Sequence, residues 1–383
     1  MPEAKFLQPY LKDYANKPWA VEALLERSEP YLAWIAKQTK RQGVPAEIAL
    51  LPAVESAFDP LAESPGDAVG LWQFIPATGR RFGLRENWWY DGRKDVVTST
   101  HGALKYLKYL HQRFDGDWLL ALAAYNTGEG KIRAAIKSNR LAGKPVDYWH
   151  LKLPRETRDY VPRLLALRLV VEHPDRYGIT LPDIQQQPIL AIVATDGQIE
   201  LSIAAQLADV SQDTLYRLNP GYKHGATPPR GPHQIVLPAD RVGRFQTQLA
   251  DLPPDQRVQW QRHEIKSGET LGHIALRYNT TVPALRVVNG LQDDRIRAGA
   301  QLVIPGSLRP KQAQVPATDT GRTRWWQNIT RRTKKVVHGV RPGDTLWDLA
   351  RHYGVSVQQL ASWNHISTTD YLQPGQKLVL HTR

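Results

Sequence analysis

The amino-acid sequence predicts an α+β multidomain chain, an all-α domain over residues 1–185 followed by small βααβ modules. Three observations carry this. The first half holds segments such as AVEALLERSEPYLAWIAKQTKR, STHGALKYLKYLHQRF and DYVPRLLALRLVVEH, whose apolar residues recur at helical spacing, and no alternating strand pattern of any length. The second half repeats itself: HEIKSGETLGHIALRYNTTVPALRVVNGL aligns residue for residue with HGVRPGDTLWDLARHYGVSVQQLASWNHI. At 383 residues the chain also exceeds the usual length of one domain.

Within the helical half, turn signals stand at SPGD (64–67) and DGR (91–93). The repeats then set the domain count. In both, Gly-x-Thr-Leu opens an amphipathic stretch, an Asn follows the Leu by eighteen positions (Leu271 to Asn289, Leu346 to Asn364), and Gly-x-x-Leu-x-aliphatic closes the unit. A weaker copy upstream keeps the same separation between Leu201 and Asn219. Each copy reads strand, helix, helix, strand, with Thr270 or Thr345 placed to cap the first helix. The expected modules span 188–240, 262–306 and 337–383. A short Pro-containing spacer near 239–261 joins the first two. A basic linker at 307–336, rich in Pro, Thr, Gln and Arg and expected to be flexible, joins the last two.

These repeats resemble the LysM module, a small βααβ unit that binds N-acetylglucosamine-containing polymers such as peptidoglycan and chitin. The resemblance implies glycan binding around Gly268, Thr270, Leu271 and Asn289 in one copy and Gly343, Thr345, Leu346 and Asn364 in the other. The first copy departs at its Gly-Thr-Leu start and carries an insertion at 221–230, which leaves open whether it binds sugar or is structural.

A formal charge of +13 and a pI near 9.7 predict attraction to polyanions. The basic residues are spread widely, and the densest cluster is RTRWWQNITRRTKK at 322–335. A nucleic-acid role would rest on charge alone, and cell-wall glycan with its peptide carboxylates fits the charge equally well. Cys is absent, which excludes disulfides and thiolate chemistry. No stretch approaches bilayer-spanning length. The N-terminus lacks the basic-then-apolar pattern of a secretory signal.

One residue breaks the apolar pattern. In LLPAVESAFDP (50–60), Glu55 sits among Leu51, Val54, Phe58 and small apolar neighbours, beside Pro52, which inside a helix would kink it. Glu55 could face solvent or pair with a base. In apolar surroundings, however, its charged form is disfavoured and its pKa raised, the requirement for a general acid at neutral pH. Polar side chains in apolar settings recur downstream: Ser64 opening SPGD, the run Ala68-Val69-Gly70-Leu71-Trp72-Gln73-Phe74, then Ala123-Ala124-Tyr125-Asn126-Thr127-Gly128, and Glu156-Thr157-Arg158-Asp159-Tyr160-Val161. Such a set often marks a lined cleft.

Glu-Ser, Gly-Leu-Trp-Gln-Phe, Ala-Tyr-Asn-x-Gly and Glu-Thr-Arg-x-Tyr-Val, in this order, resemble the signatures of the lytic transglycosylases, goose-type-lysozyme-like enzymes that cleave peptidoglycan; the resemblance covers roughly residues 20–180. It implies a lysozyme-like fold for the helical domain, Glu55 as catalytic acid/base, Ser64 and Gln73 as contacts to sugar around the scissile bond, and Tyr125, Asn126, Glu156 and Tyr160 as cleft walls. Tyr125 and Tyr160 could equally be buried supports, and Asn126 a helix-terminal hydrogen-bonding residue. Trp72 stands where many relatives have Met, and either could pack on a sugar face.

Glycosidases usually need two carboxylates. Asp59, Glu63 and Asp67 are near in sequence but read as turn and cap residues. The resemblance removes the need, because one Glu can act twice and release a 1,6-anhydromuramoyl end without water. A hydrolytic muramidase on the same fold and a non-catalytic wall-binding protein are the alternatives. No cofactor is implied, and no metal, since the His residues show no ligand spacing. Trp88-Trp89-Tyr90 are expected to pack in the core of the helical domain, while Trp325-Trp326 in the 322–335 cluster could meet a membrane surface or glycan. The expected partner is the peptidoglycan glycan strand, bound by a monomer. The expected location is the periplasm or cell envelope, with any export leader or lipid anchor lying outside this sequence.

Overall fold

In the computed structural model, the structure describes residues 4–182, 189–258, 261–278, 280–304, 334–341 and, within 344–382, positions 344, 346, 349–350, 353, 357–364, 366, 372–373 and 375–382. The 322–333 stretch with Trp325 and Trp326, and Gly343 and Thr345, lie outside the described residues.

The first part is helical: α1 (Ala4–Ala15), α2 (Pro18–Gln42), α3 (Leu51–Glu55), α4 (Pro76–Arg81), α5 (Val96–Arg113), α6 (Trp118–Thr127), α7 (Glu129–Leu141) and α8 (Arg155–Glu172). Helix α2 starts at Pro18, whose fixed φ suits a first turn, and stops at Gly43 in the left-handed region (φ 66°). Its buried face, Val21, Leu25, Ser28, Trp34 and Ile35, follows the helical period. Helix α6 is capped by Asp117, whose side chain accepts from Leu119 N at 2.8 Å and Leu120 N at 3.0 Å. Leu120 to Ala124 are all buried, as expected of a helix that is apolar all round. The core thus delivers α6's last turn, Tyr125–Thr127, to the site. Tyr10 Oη donates to Asp159 Oδ1 (2.8 Å), tying α1 to α8.

Three small modules follow. The first pairs β1 (Leu190–Ala194) antiparallel with β2 (Gln234–Pro238) around α9 (Leu201–Ala208) and α10 (Gln212–Leu218), and continues into α11 (Val242–Asp251). The second pairs β3 (Gln261–Glu264) with β4 (Gln301–Ile304) around α12 (Leu271–Arg277) and α13 (Val282–Asn289). In the third, β5 (Lys334–Gly339) pairs with β6 (Lys377–Thr382), and a helix spans Val357–Asn364.

The Asn repeated at +18 is a clamp. Asn289 Nδ2 donates to Leu285 O and Val303 O (both 2.8 Å), and its Oδ1 accepts from Val303 N (2.7 Å). Asn219 does the same with Leu215 and Val236, and Asn364 with Leu360 and Val379. Each Asn therefore fastens the second helix of its module to the closing strand.

The expectation for Trp88-Trp89-Tyr90 needs correcting in place, not in kind. Arg85–Asp95 forms one compact unit with Leu190–Thr330. Trp89 and Tyr90 are buried there with Ile199, Leu201, Tyr222 and Phe245. Two backbone bonds fix the segment, Asp91 N to Gly221 O (2.8 Å) and Lys223 N to Trp89 O (2.9 Å). The insertion at 221–230 supplies that edge. It also covers the first module's opening turn, with Leu201 N donating to Gly225 O (2.7 Å) and Thr227 N to Ile199 O (2.9 Å). Nothing in the helical period of residues 1–185 sets 85–95 apart from the domain on either side of it in sequence.

Candidate active site

Pro52 stands in the first turn of α3, where its missing N–H costs nothing, so it starts the helix and does not kink it. The helix ends at Glu55 because Ala57 (φ 52°) and Phe58 (φ 57°) both adopt left-handed backbone. That conformation is costly for residues with a Cβ and needs support from its surroundings. Phe58 is fully buried, its N–H bonds Pro52 O (3.2 Å), and Arg27 Nε donates to Ala57 O (2.8 Å). The helix therefore stops at the carboxylate.

The next residue ties the acid to the following loop. Ser56 Oγ lies 2.9 Å from Leu71 O and 3.2 Å from Pro52 O, and donates there. The adjacent carbonyl, Trp72 O, accepts from Tyr125 Oη (2.8 Å). Trp72 is itself fully buried, with Nε1 donating to Thr100 Oγ1 (2.8 Å). It therefore cannot offer a face to sugar, which corrects that expectation. Gln73, also left-handed (φ 48°), turns its Nε2 to Gly70 O (2.9 Å) and Ala62 O (3.3 Å). Ser64 Oγ accepts from Ala68 N (3.1 Å) and shapes the SPGD turn. Ser64 and Gln73 thus share one loop, and neither bonds Glu55 directly.

Helix α8 closes on the acid. Tyr160 Oη donates to Glu55 Oε1. One turn earlier, Glu156 Oε1 accepts from Asn126 Nδ2 (3.3 Å), and Thr157 Oγ1 donates to Asn126 Oδ1 (2.8 Å). The last turn of α6 and the first turn of α8 are therefore cross-bonded beside Glu55. Glu55 keeps a half-buried side chain amid buried neighbours. Burial pushes its pKa from 4.5 up to about 8; the Tyr160 hydrogen bond pulls downward and the charge of Glu156 pushes further up. Tyr125 and Tyr160 are held well above the ordinary phenol value, first by burial and then by the nearby Glu55 charge, so both remain hydroxyl donors.

The carboxylate whose charge bears on Glu55 is thus Glu156, not one of the acids near it in sequence. Asp59 Oδ1 accepts from Leu61 N (2.9 Å) in a turn, the Glu63 backbone bridges Val69, and Asp67 is exposed in left-handed backbone. The signal available for Glu156 was its four-residue spacing from Tyr160, which puts both on one helix face. Ser56, Arg27 and Thr157 went unassigned because their partners are backbone carbonyls or residues distant in sequence.

Among the described residues, those expected to touch glycan in the modules are occupied by the fold. Leu271 and Leu346 are buried in the module cores, Gly268 turns the chain at φ 84°, and Thr270 Oγ1 caps α12 by accepting from His273 N (3.2 Å). Asn289 and Asn364 spend both amide protons as clamps between the second helix and the closing strand. Beside them stands a triad that the sequence reading missed. His263 lies between Tyr278 Oη (3.0 Å) and Glu269 Oε2 (2.6 Å), and His338 lies between Tyr353 Oη (2.7 Å) and Asp344 Oδ2 (2.9 Å). Among the described residues, no group of three or more His, Asp or Glu is placed to hold a metal ion.

Comparison with known proteins follows the same division. The family model of the transglycosylase SLT domain matches residues 32–146, that of the MltD LysM-like domain residues 190–254, and that of the LysM domain residues 263–305 and 338–381. Membrane-bound lytic murein transglycosylase D of Escherichia coli (strain K12) is 36% identical over 390 residues, covering 98% of this chain and 80% of the relative. The soluble lytic murein transglycosylase of Salmonella typhimurium is 30% identical over 31% of this chain and 19% of its own length. Among solved structures, lytic transglycosylase Slt from Pseudomonas aeruginosa matches 40% of this chain and 25% of its own at 26% identity, with a TM-score of 0.29. With the SLT and LysM matches in chain order and more than a third of residues shared over nearly the whole length, the chain belongs to the family of membrane-bound lytic murein transglycosylase D.

Proposed function

We propose that the chain is a peptidoglycan lytic transglycosylase in which Glu55 is the sole acid/base. It cleaves the β-1,4 bond between N-acetylmuramic acid and N-acetylglucosamine without water, and its LysM modules hold GlcNAc-containing glycan. The observation that carries the role of Glu55 is its carboxyl, kept protonated to about pH 8 by burial and met by the Tyr160 hydroxyl.

The Glu55 carboxyl gives its proton to the glycosidic oxygen. The C1–O bond breaks, and its electron pair leaves with the N-acetylglucosamine O4. The 2-acetamido carbonyl of the muramic residue stabilises the electron-poor C1. The Glu55 carboxylate then takes the proton of the muramic C6 hydroxyl as that oxygen bonds C1, closing the 1,6-anhydro ring and restoring the acid. Tyr160 donates to the carboxylate between the two steps. Tyr125 and Asn126 line the cleft, Glu156 and Tyr160 form its far wall, and Ser64 and Gln73 lie on the loop beside the scissile bond.

The enzyme works in the cell envelope, in the periplasm, as a monomer. The basic 322–335 stretch gives it contact with an anionic surface. Among the described residues no helix is long and apolar enough to cross a membrane.

Mass spectrometry of fragments released from purified peptidoglycan tests the reading. Products one water lighter than hydrolysis fragments, absent with Glu55→Gln, are expected. Reducing muramic ends would instead identify a muramidase, and no release by the wild type would leave a wall-binding protein.

A further inference from the structure

Away from Glu55, the aromatic lining of the helical domain runs to a pair of arginines. The ring of Tyr125 lies 5.2 Å from Tyr106, and Tyr106 stacks with Tyr109 at 6.5 Å. Tyr106 is half-buried, packed on Phe82 at 4.6 Å. At the end of this row two guanidinium groups converge on one ring: Arg81 at 4.6 Å and Arg113 at 6.0 Å from the centre of Tyr109. Arg81 Nη2 donates to Tyr109 Oη (2.8 Å), and Tyr109 Oη donates to Glu129 Oε2 (3.0 Å). Arg113 Nε lies 3.9 Å from the same carboxylate oxygen.

Two cations here face one carboxylate, and both arginines are exposed. Arg81 spends one of its N–H donors on Tyr109, and Arg113 makes only the long approach to Glu129. Both guanidinium groups keep planar N–H donors open to solvent, a fork that suits a carboxylate. Peptidoglycan carries such groups on the peptides borne by its muramic acids, beyond the sugars at the scissile bond. Ring contacts through Tyr106 join Tyr125 to this arginine pair.

We infer that Arg81 and Arg113, held around Tyr109, form a subsite for the peptide carboxylates of peptidoglycan, so that the enzyme favours peptide-bearing over peptide-free strands. This rests on the transglycosylase reading above.

The test compares Arg81→Gln/Arg113→Gln with the wild type on intact strands and on strands stripped of peptides by an amidase. The ratio of kcat/KM for intact over stripped strands should fall about three- to tenfold, through KM, as for exposed charge-assisted hydrogen bonds. In the wild type this preference should weaken with salt. Arg81→Lys/Arg113→Lys should restore part of it, since the charge survives without the fork. An unchanged ratio overturns the inference. So does an equal loss on both substrates, which would mark the arginines as structural. Arg113→Gln alone, which removes only a long contact, provides the readout if the double variant fails to fold. A wild type that forms no anhydro products from either strand would sink the functional reading, and this subsite with it.

Discussion

Replacing Glu55 with Gln should remove activity and, above acid pH, stabilise the helical domain. The carboxyl has its pKa raised from 4.5 to about 8, chiefly by burial. Below 4.5 the group is protonated whether the chain is folded or unfolded, and its stability contribution is fully present. Between 4.5 and about 8 the unfolded chain ionises freely while the folded one does not, so stability is lost as pH rises. Each pH unit in that interval corresponds to about 1.4 kcal/mol, giving a ceiling of about 5 kcal/mol. The side chain is half-buried, and solvent screening of the exposed part reduces the expected value to roughly 2–3 kcal/mol. Gln keeps the shape, can still accept from Tyr160 and carries no charge. Urea unfolding of wild type and Glu55→Gln, followed by far-ultraviolet circular dichroism at a series of pH values, measures the difference. The two curves should coincide near pH 4, separate through neutrality and run parallel above about pH 8. A gap independent of pH would refute the reasoning, because it would mean Glu55 ionises as easily in the fold as out of it.

Other perturbations follow from single contacts. Tyr160→Phe removes the one hydrogen bond that favours the Glu55 carboxylate, so the alkaline limb of the pH–rate profile should move upward while kcat falls roughly tenfold. Gly221→Ala would place a Cβ 3.0 Å from both Asp95 Cβ and Tyr90 Cε2, and should cost about 1–3 kcal/mol, seen as faster hydrogen exchange at the Asp91 amide. Asn289→Ala strands the Val303 N–H and C=O and should cost about 2–3 kcal/mol, read from melting of the second module. Removing residues 307–383 should weaken pelleting with cell wall by an order of magnitude or more, because one binding module and its effective concentration are lost.

The repeats were legible because each module uses the same atoms at the same offsets: the Asn clamp falls at +18 in all three. The candidate site residues stand out in the sequence as polar breaks in apolar runs, as at Glu55 and Tyr125-Asn126. What stayed hidden depends on backbone or distant pairing. Nothing in Ala57-Phe58 announces two consecutive left-handed residues, since neither is Gly or Asn. Trp72 reads as a cleft aromatic until Thr100, twenty-eight positions on, is seen to take its N–H. The His–carboxylate–Tyr triads could have been found from the alignment. His263, Glu269 and Tyr278 recur as His338, Asp344 and Tyr353, whereas the first copy has buried Val193, Ile199 and Ala208 at those offsets. That apolar replacement, with the opening turn covered by 225–227, marks the first module as built for packing against its own chain.

Under the proposed mechanism, the Glu55 environment also accounts for how one carboxyl can serve two opposite steps. Burial, the Glu156 charge and a position at the C-terminal end of α3 all favour the neutral acid, which poises it to donate. Taken alone, these would make the carboxylate left after donation expensive and the bond cleavage uphill. Tyr160 acts in the other direction, since its hydroxyl bonds the charged form more strongly than the neutral one. Its own proton is secured by burial and by the Glu55 charge, so it donates without transferring. The carboxylate is thus stabilised enough to form and remains basic enough to take the C6 hydroxyl proton. A second carboxylate acting as nucleophile becomes unnecessary, and the acid charged in the first step is the base discharged in the second.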